Sequence, residues 1–188
     1  LAIGDVGLLE NQSATVADGV LWSDHSRVTL LGIESRAAAM SNIVYKDIDM
    51  IHLGQWPAIM IELSDTMKMT NVVFEDIRVR GKVFLDRENL PARDGQEWLA
   101  VIRPFITRLT ADRQWGSIDG MTLRNIEVQG VPGKYAVLLE GAPVHSNRRI
   151  KNVMFDNVTI LGERLTQDSQ RMWLGPWIQP LQDNITFR

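Results

Sequence analysis

The chain repeats one seven-residue phrase along nearly its whole length, and a repeat constrains architecture before any local propensity does. The phrase reads Asn, aliphatic, any residue, aromatic or aliphatic, any residue, Asp or Asn, aliphatic. Its clearest copies are Asn42-Ile43-Val44-Tyr45-Lys46-Asp47-Ile48, Asn71-Val72-Val73-Phe74-Glu75-Asp76-Ile77 and Asn152-Val153-Met154-Phe155-Asp156-Asn157-Val158. Gly120-Met121-Thr122-Leu123-Arg124-Asn125-Ile126 carries Gly in first place. Asn184-Ile185-Thr186-Phe187 begins a copy that stops at the chain end, and Ser13-Ala14-Thr15-Val16-Ala17-Asp18 is a weaker early one. First positions at 13, 42, 71, 120, 152 and 184 give steps of 29, 29, 49, 32 and 32.

Alternation within each copy is the period of a strand with one buried face. The later Asp or Asn breaks that alternation and predicts a bend between two short strands. A second strand precedes each copy: Val28–Ile33, Ala58–Leu63, Trp98–Ile102, Tyr135–Leu139 and Met172–Leu174. Each repeat therefore reads strand, loop, strand, bend, loop. No repeat can bury its apolar face alone, but stacked repeats share a continuous core. The expectation is an all-β, right-handed parallel β-helix of about five to six coils in a single domain. The step of 49 marks one coil enlarged by an inserted loop at 83–97, rich in charge and containing Pro91 and Gly95. Sustained helical spacing is missing, and β-branched and aromatic residues dominate the periodic segments. A leucine-rich repeat lacks its consensus leucines here. An antiparallel sandwich would want tight two-residue turns such as Asn-Gly, and none lies between paired strands.

Apolar residues at 45% and charged residues at 23% are ordinary for a folded chain, and a formal net charge of −3 makes no electrostatic case for nucleic acid. No apolar run approaches the roughly 18 residues that span a bilayer. The chain has no cysteine, which removes disulfides, thiolate chemistry and cysteine zinc sites together. It opens on Leu1-Ala2-Ile3-Gly4-Asp5, a strand phrase without initiator Met or signal segment, and so reads as a piece of a longer chain. An exposed first coil would leave an unpaired edge, which predicts association with the upstream part or with another chain.

The phrases Met40–Ile48 and Lys151–Ile160 resemble coils of the polygalacturonase-like β-helix glycoside hydrolases, the group of glycoside hydrolase family 28 and the related dextranase and isopullulanase type. The resemblance runs from about Ser13 to the end, as in a C-terminal portion. It implies a secreted or periplasmic enzyme of polysaccharide degradation, with a carbohydrate substrate and no cofactor. In that family an Asp-Asp pair precedes a strand like Leu1–Asp5, so the pair would stand just upstream of residue 1. The family's Gly-His-Gly corresponds here to Ser23-Asp24-His25-Ser26-Arg27, with His25 in place but no glycines. The family's Arg-Ile-Lys, which binds a substrate carboxylate, corresponds to Ala58-Ile59-Met60-Ile61-Glu62 without a cation. Arg149-Ile150-Lys151 spells the tripeptide in the wrong coil. These departures argue against polygalacturonate and leave a neutral or different glycan.

Glycoside hydrolysis needs two carboxyl groups flanking the scissile bond, about 5–5.5 Å apart for retention and about 6.5–9.5 Å for inversion. Coils stacked at about 4.8 Å bring carboxylates on neighbouring coils into that range. Glu34 and Glu62 both end a first strand and form one candidate pair; Asp5 and Asp24 lie one coil earlier. Glu140 ends the strand of a third coil, so this position could equally be a plain feature of the repeat. His25 and Arg27 beside Asp24 are candidates for sugar binding or for tuning an acid. Trp22, Trp56 and Trp115 fall in or beside loops where they could stack on sugar rings; packing of loops onto the stack is the plainer alternative. His52 and His145 have no partner at ligand spacing, so no metal site is expected. The recurring Asp47, Asp76, Asn125 and Asn157 read as a hydrogen-bond ladder at the bend.

Hydrolysis by carboxylate acid–base chemistry on a cleft along the stack is the leading functional reading. A non-catalytic glycan-binding or adhesive segment of tailspike type is the second. A β-helix lyase is the third, and it would need a cation-rich or calcium-bearing cleft that the acidic and aromatic candidates do not offer.

Overall fold

Asn42, Asn71, Asn152 and Asn184 all have φ of 52 to 55°, and Gly120, the one Gly at that place, has φ of 90°. Asp18, Asp47, Asp76, Asn125 and Asn157, five residues further into each copy, have φ of 50 to 56°. Asn and Asp tolerate this left-handed region better than other residues bearing a Cβ. Each left-handed residue is an extra one in the alternation: Met69 and Val72 both face the core, as do Phe74 and Ile77, with two residues between each pair. The strand thus turns a corner and its aliphatic residues stay inside. The expected bend at the later Asp or Asn is present, and a second one, unforeseen, sits at the first Asn.

The computed structural model describes residues 2–3, 8–23, 29–32, 36–53, 57–80, 96–106, 110–129, 134–143 and 148–188. The described residues form no helix. Six short strands are β1 (Ala2–Ile3), β3 (Thr29–Gly32), β5 (Ile59–Leu63), β7 (Gln96–Pro104), β9 (Lys134–Leu139) and β12 (Met172–Leu174). Five longer ones are β2 (Leu8–Ser23), β4 (Arg36–Leu53), β6 (Lys68–Arg80), β8 (Ser117–Gln129) and β10 (Ile150–Ile160). The closing strands are β11 (Glu163–Arg164) and β13 (Ile185–Phe187).

The short strands form one parallel sheet in the order β1-β3-β5-β7-β9-β12, and the long ones a second in the order β10-β8-β6-β4-β2. The chain passes from one sheet to the other and back, and each strand pairs with its counterpart one pass later. The register follows the sequence phrase: Val16, Tyr45, Phe74, Leu123, Phe155 and Phe187 are successive Cα partners. Tyr45 stacks on Phe74 at 4.9 Å and Phe155 on Phe187 at 5.1 Å between ring centroids. Inward residues of both sheets merge in one core cluster. Each fully buried aliphatic or Phe side chain there contributes about 1.5–3 kcal/mol.

Side-chain amides tie the corners together. Asn71 Nδ2 donates to Asn42 Oδ1 at 2.7 Å, and Asn184 to Asn152 at 2.8 Å. Gly120 has no amide, and Asn152 donates instead to Asp119 Oδ1 at 2.6 Å. At the second corner Asn125 donates to Asp76 and Asn157 to Asn125, both at 2.9 Å. Outward columns alternate in charge: Glu75, Arg124 and Asp156 bond in series, and Arg78 binds Asp49 with two contacts. A slip of one pass would set like charges opposite each other, which favours the observed register.

Two expectations change. Leu161 and Gly162, with φ of 52° and 82°, form a two-residue turn that folds β11 antiparallel onto β10. Leu-Gly is not the Asn-Gly signal, yet Gly at the second place removes half of the steric cost of such a turn. Gln96 and Glu97 of the expected insertion belong to β7, paired with Lys134 and Tyr135; 83–95 lies outside the described residues.

Candidate functional site

Register places Glu62 opposite Gly32 in the preceding pass and opposite Arg103 in the following one. Leu139 pairs with Ile102 and Leu174 with Leu139, so Glu140 and Gly175 continue the same column. Ile61, Leu63, Ile102 and Leu139 belong to the core cluster. Alternation therefore turns the column Gly32, Glu62, Arg103, Glu140, Gly175 to the outer face of the short-strand sheet. Gly32 is fixed by close approach: with φ of 108°, a Cβ there would meet the Glu62 carbonyl oxygen at 2.0 Å. Gly175 packs against the Glu140 side chain, 3.1 Å from its Cβ to an added Cβ. Three charged side chains are thus bounded at each end by a residue with none.

Arg103 Nη2 and Nε both donate to Glu62 Oε1, at 2.6 and 2.8 Å. The pair is nearly sealed, with side chains 5% and 1% exposed. Arg103 also lies 4.0 Å above the Phe105 ring and reaches within 4.0 Å of Glu140 Oε2. Burial pushes the Glu140 carboxyl above the usual carboxylate range, and Arg103 pulls it partly back. Its side chain keeps 24% exposure. A half-buried acid that retains its proton more readily than usual, beside a fixed guanidinium, can donate a proton and then be stabilised as its anion.

A second outward group lies one step along the same strands. Val101 and Leu138 are buried there with Trp98 and Ala136, and the Trp98 ring stacks on Trp173 at 5.4 Å. This apolar wall lowers the local dielectric next to Glu140.

Of the residues expected from the sequence, Glu62 is in the column and is committed to Arg103. Its Cα partner in the preceding pass is Gly32, not Glu34. Trp115 is half-buried and makes an antiparallel bridge to Ser64, two residues beyond Glu62. Backbone bonds from Asp65 to Gln114 and from Gly116 to Leu63, and one from Asp112 N to Asp65 Oδ1, hold that segment against the end of β5. Trp22 lies in β2 opposite Ile51, with its side chain outside the described portion. Asp5, Asp24, His25, Arg27, Glu34 and Trp56 lie outside the described residues. The sequence reading takes Glu140 only as a plain feature of the repeat, and it misses Arg103. Its signal was present: Ile61-Glu62-Leu63, Ile102-Arg103-Pro104 and Leu139-Glu140-Gly141 are equivalent strand ends, visible once the strands are laid in register.

Among the described residues no group of three or more His, Asp or Glu could hold a metal ion, and no helix is long and apolar enough to cross a membrane. No family model, no curated protein and no solved structure matches this chain.

Proposed function

We propose that this chain forms part of a right-handed parallel β-helix glycoside hydrolase, an exported enzyme that cleaves glycosidic bonds in a neutral polysaccharide or oligosaccharide. The alternation of the chain between two parallel sheets, each strand one pass beyond its partner, supports the β-helix. The observation that carries the function is the outward column Glu62, Arg103, Glu140, with the Glu140 carboxyl pushed up by burial. In this reading Glu140 is the general acid that protonates the leaving oxygen. Glu62 holds Arg103 in place, and Arg103 stabilises the carboxylate that Glu140 becomes.

Magnitudes separate the roles. Glu62 and Glu140 stand two strand steps apart, about 9.5 Å. That is the upper end of the inverting range, and Arg103 fills the interval. Among the described carboxylates of this column Glu62 is the one that stands within that range of Glu140, with Trp115 at the flank for a sugar ring. The Arg103 charge is already matched by Glu62, which favours an uncharged sugar over a uronate.

A second reading, a non-catalytic glycan-binding β-helix, is favoured by the closure of the Glu62–Arg103 pair on itself, since buried ion pairs also occur as plain structure. Reducing-end release from a panel of neutral glycans separates the two. Hydrolysis predicts release by the wild type and its loss in Glu140→Gln. Wild-type rates in Glu140→Gln would remove the assigned acid, and glycan binding without release from any member of the panel would favour the binding module.

A further inference from the structure

The long-strand sheet carries a groove of its own, away from the Glu62, Arg103, Glu140 column. It measures about 390 Å³ and crosses three passes, lined by Asp76 and Arg78 of β6, Asn125 and Glu127 of β8, and Asn157 and Thr159 of β10. Its walls are fixed. Asn125 and Asn157 belong to the corner ladder, and Arg78 is held on Asp49 at 2.7 and 3.1 Å. Glu127 stands in register between Arg78 and Thr159. It is exposed, and among the described residues its carboxylate has no hydrogen bond or ion pair.

We propose that this groove binds a neutral sugar unit, as a second carbohydrate site on the opposite sheet from the acid–base column. The inventory of groups carries the choice of ligand. Each ladder amide has two N–H donors and uses one along the ladder, so Asn125 and Asn157 each keep one. The Thr159 hydroxyl both donates and accepts. Glu127 and the second Asp76 oxygen accept. Sugar hydroxyls need donors and acceptors side by side on a rigid frame, and a vicinal pair fits a carboxylate that has no internal partner. An anionic ligand is disfavoured, because Arg78 is neutralised by Asp49 and both Asp76 and Glu127 face the groove. A cationic side chain would use the carboxylates alone and leave the amide and hydroxyl donors without a role. The site gives a polysaccharide a second hold on the enzyme; in that sense it rests on the glycan reading above, although its binding can be measured without any hydrolysis.

The test is a titration of the whole protein, ¹⁵N-labelled, with neutral malto-, isomalto-, cello- and xylo-oligosaccharides at millimolar concentration, read on the side-chain amide signals of Asn125 and Asn157. Binding predicts saturable shifts of both signals with at least one series. Glu127→Ala and Thr159→Val should each weaken the midpoint about tenfold, and Glu140→Gln should leave it unchanged. No shift with any series, equal midpoints in Glu127→Ala, or shifts only with lysine-containing peptides would overturn the proposal. Saturable binding here with no glycan hydrolysed would sink the enzymatic reading and leave this site standing.

Discussion

Removing Arg103 should cost more than any surface substitution in this chain, and the size of the loss follows from its burial. Both of its short bonds, 2.6 and 2.8 Å, run to Glu62 Oε1, in a pair with side chains 5% and 1% exposed. Arg103→Met keeps much of the side-chain length and deletes the charge. Glu62 is then left buried without its guanidinium, a change that typically costs about 3–5 kcal/mol. Against a total stability of about 5–15 kcal/mol this is a large share. At about 2–4 °C per kcal/mol for a chain of this size, the melting midpoint falls by about 6–20 °C. Glu62→Gln should cost less, since its amide oxygen still accepts from Arg103 and Glu140 remains 4.0 Å away. The double variant Glu62→Leu with Arg103→Met removes both charges and should recover most of the loss, as apolar replacements of buried ion pairs often do. Urea unfolding followed by tryptophan fluorescence reads all three. A loss below about 1 kcal/mol in Arg103→Met, the level of an exposed pair, or a double variant as unstable as the sum of the single ones, would mean that the buried charge of Glu62 does not depend on Arg103.

Other positions give sharper local tests. Tyr45 is fully buried, its hydroxyl has no partner among the described residues, and burial drives its phenol strongly upward; Tyr45→Phe should therefore raise the urea midpoint by a gain of about 1 kcal/mol, and a lowered midpoint would contradict this. Asn71 sits at φ 52° and donates to Asn42. Asn71→Ala should be less stable than Asn71→Gly by about 1 kcal/mol, the reverse of their usual order inside a strand, because only Gly enters the left-handed region without steric cost; the ordinary order in thermal melts would count against the corner. Glu140 has its carboxyl raised from 4.5 by burial, so its folded form binds a proton more tightly than its unfolded form. The stability it contributes is present below about pH 4.5 and fades as pH rises through the raised value. Glu140→Gln should flatten that limb of the stability–pH curve, and an unchanged limb would assign it to other groups.

The corners are legible in the sequence because their chemistry is narrow. Few residues accept positive φ, and an amide that bonds up and down a stack narrows them to Asn with Asp or Gly as substitutes. Asp18, Asp47, Asp76, Asn125 and Asn157 therefore stand out as one recurring bend from the residues alone. The first Asn does not reveal itself as a corner, since in the linear pattern it merely precedes the first aliphatic residue. The candidate site is far less legible. Arg103 and Glu140 meet only through register, 37 residues apart, and the insertion after Arg80 hides the equivalence of the strand ends. Glu62 stands out as a carboxylate of the right kind, while its commitment to Arg103 depends on a partner 41 residues away. Side chains on outward columns are also free of the packing constraint that makes inward ones periodic, so their pattern carries little signal.

The proposed role of Glu140 as the acid of a glycoside hydrolase is read from leaving-group dependence. Once a cleaved sugar is known from the glycan panel, wild type and Glu140→Gln are compared on its natural linkage and on its 2,4-dinitrophenyl glycoside, whose leaving group needs no proton. With Glu140 as the acid, Glu140→Gln should lose about 10²–10⁴-fold in rate on the natural linkage and keep close to the wild-type rate on the activated glycoside. Equal losses on both substrates, or no loss on either, would contradict it.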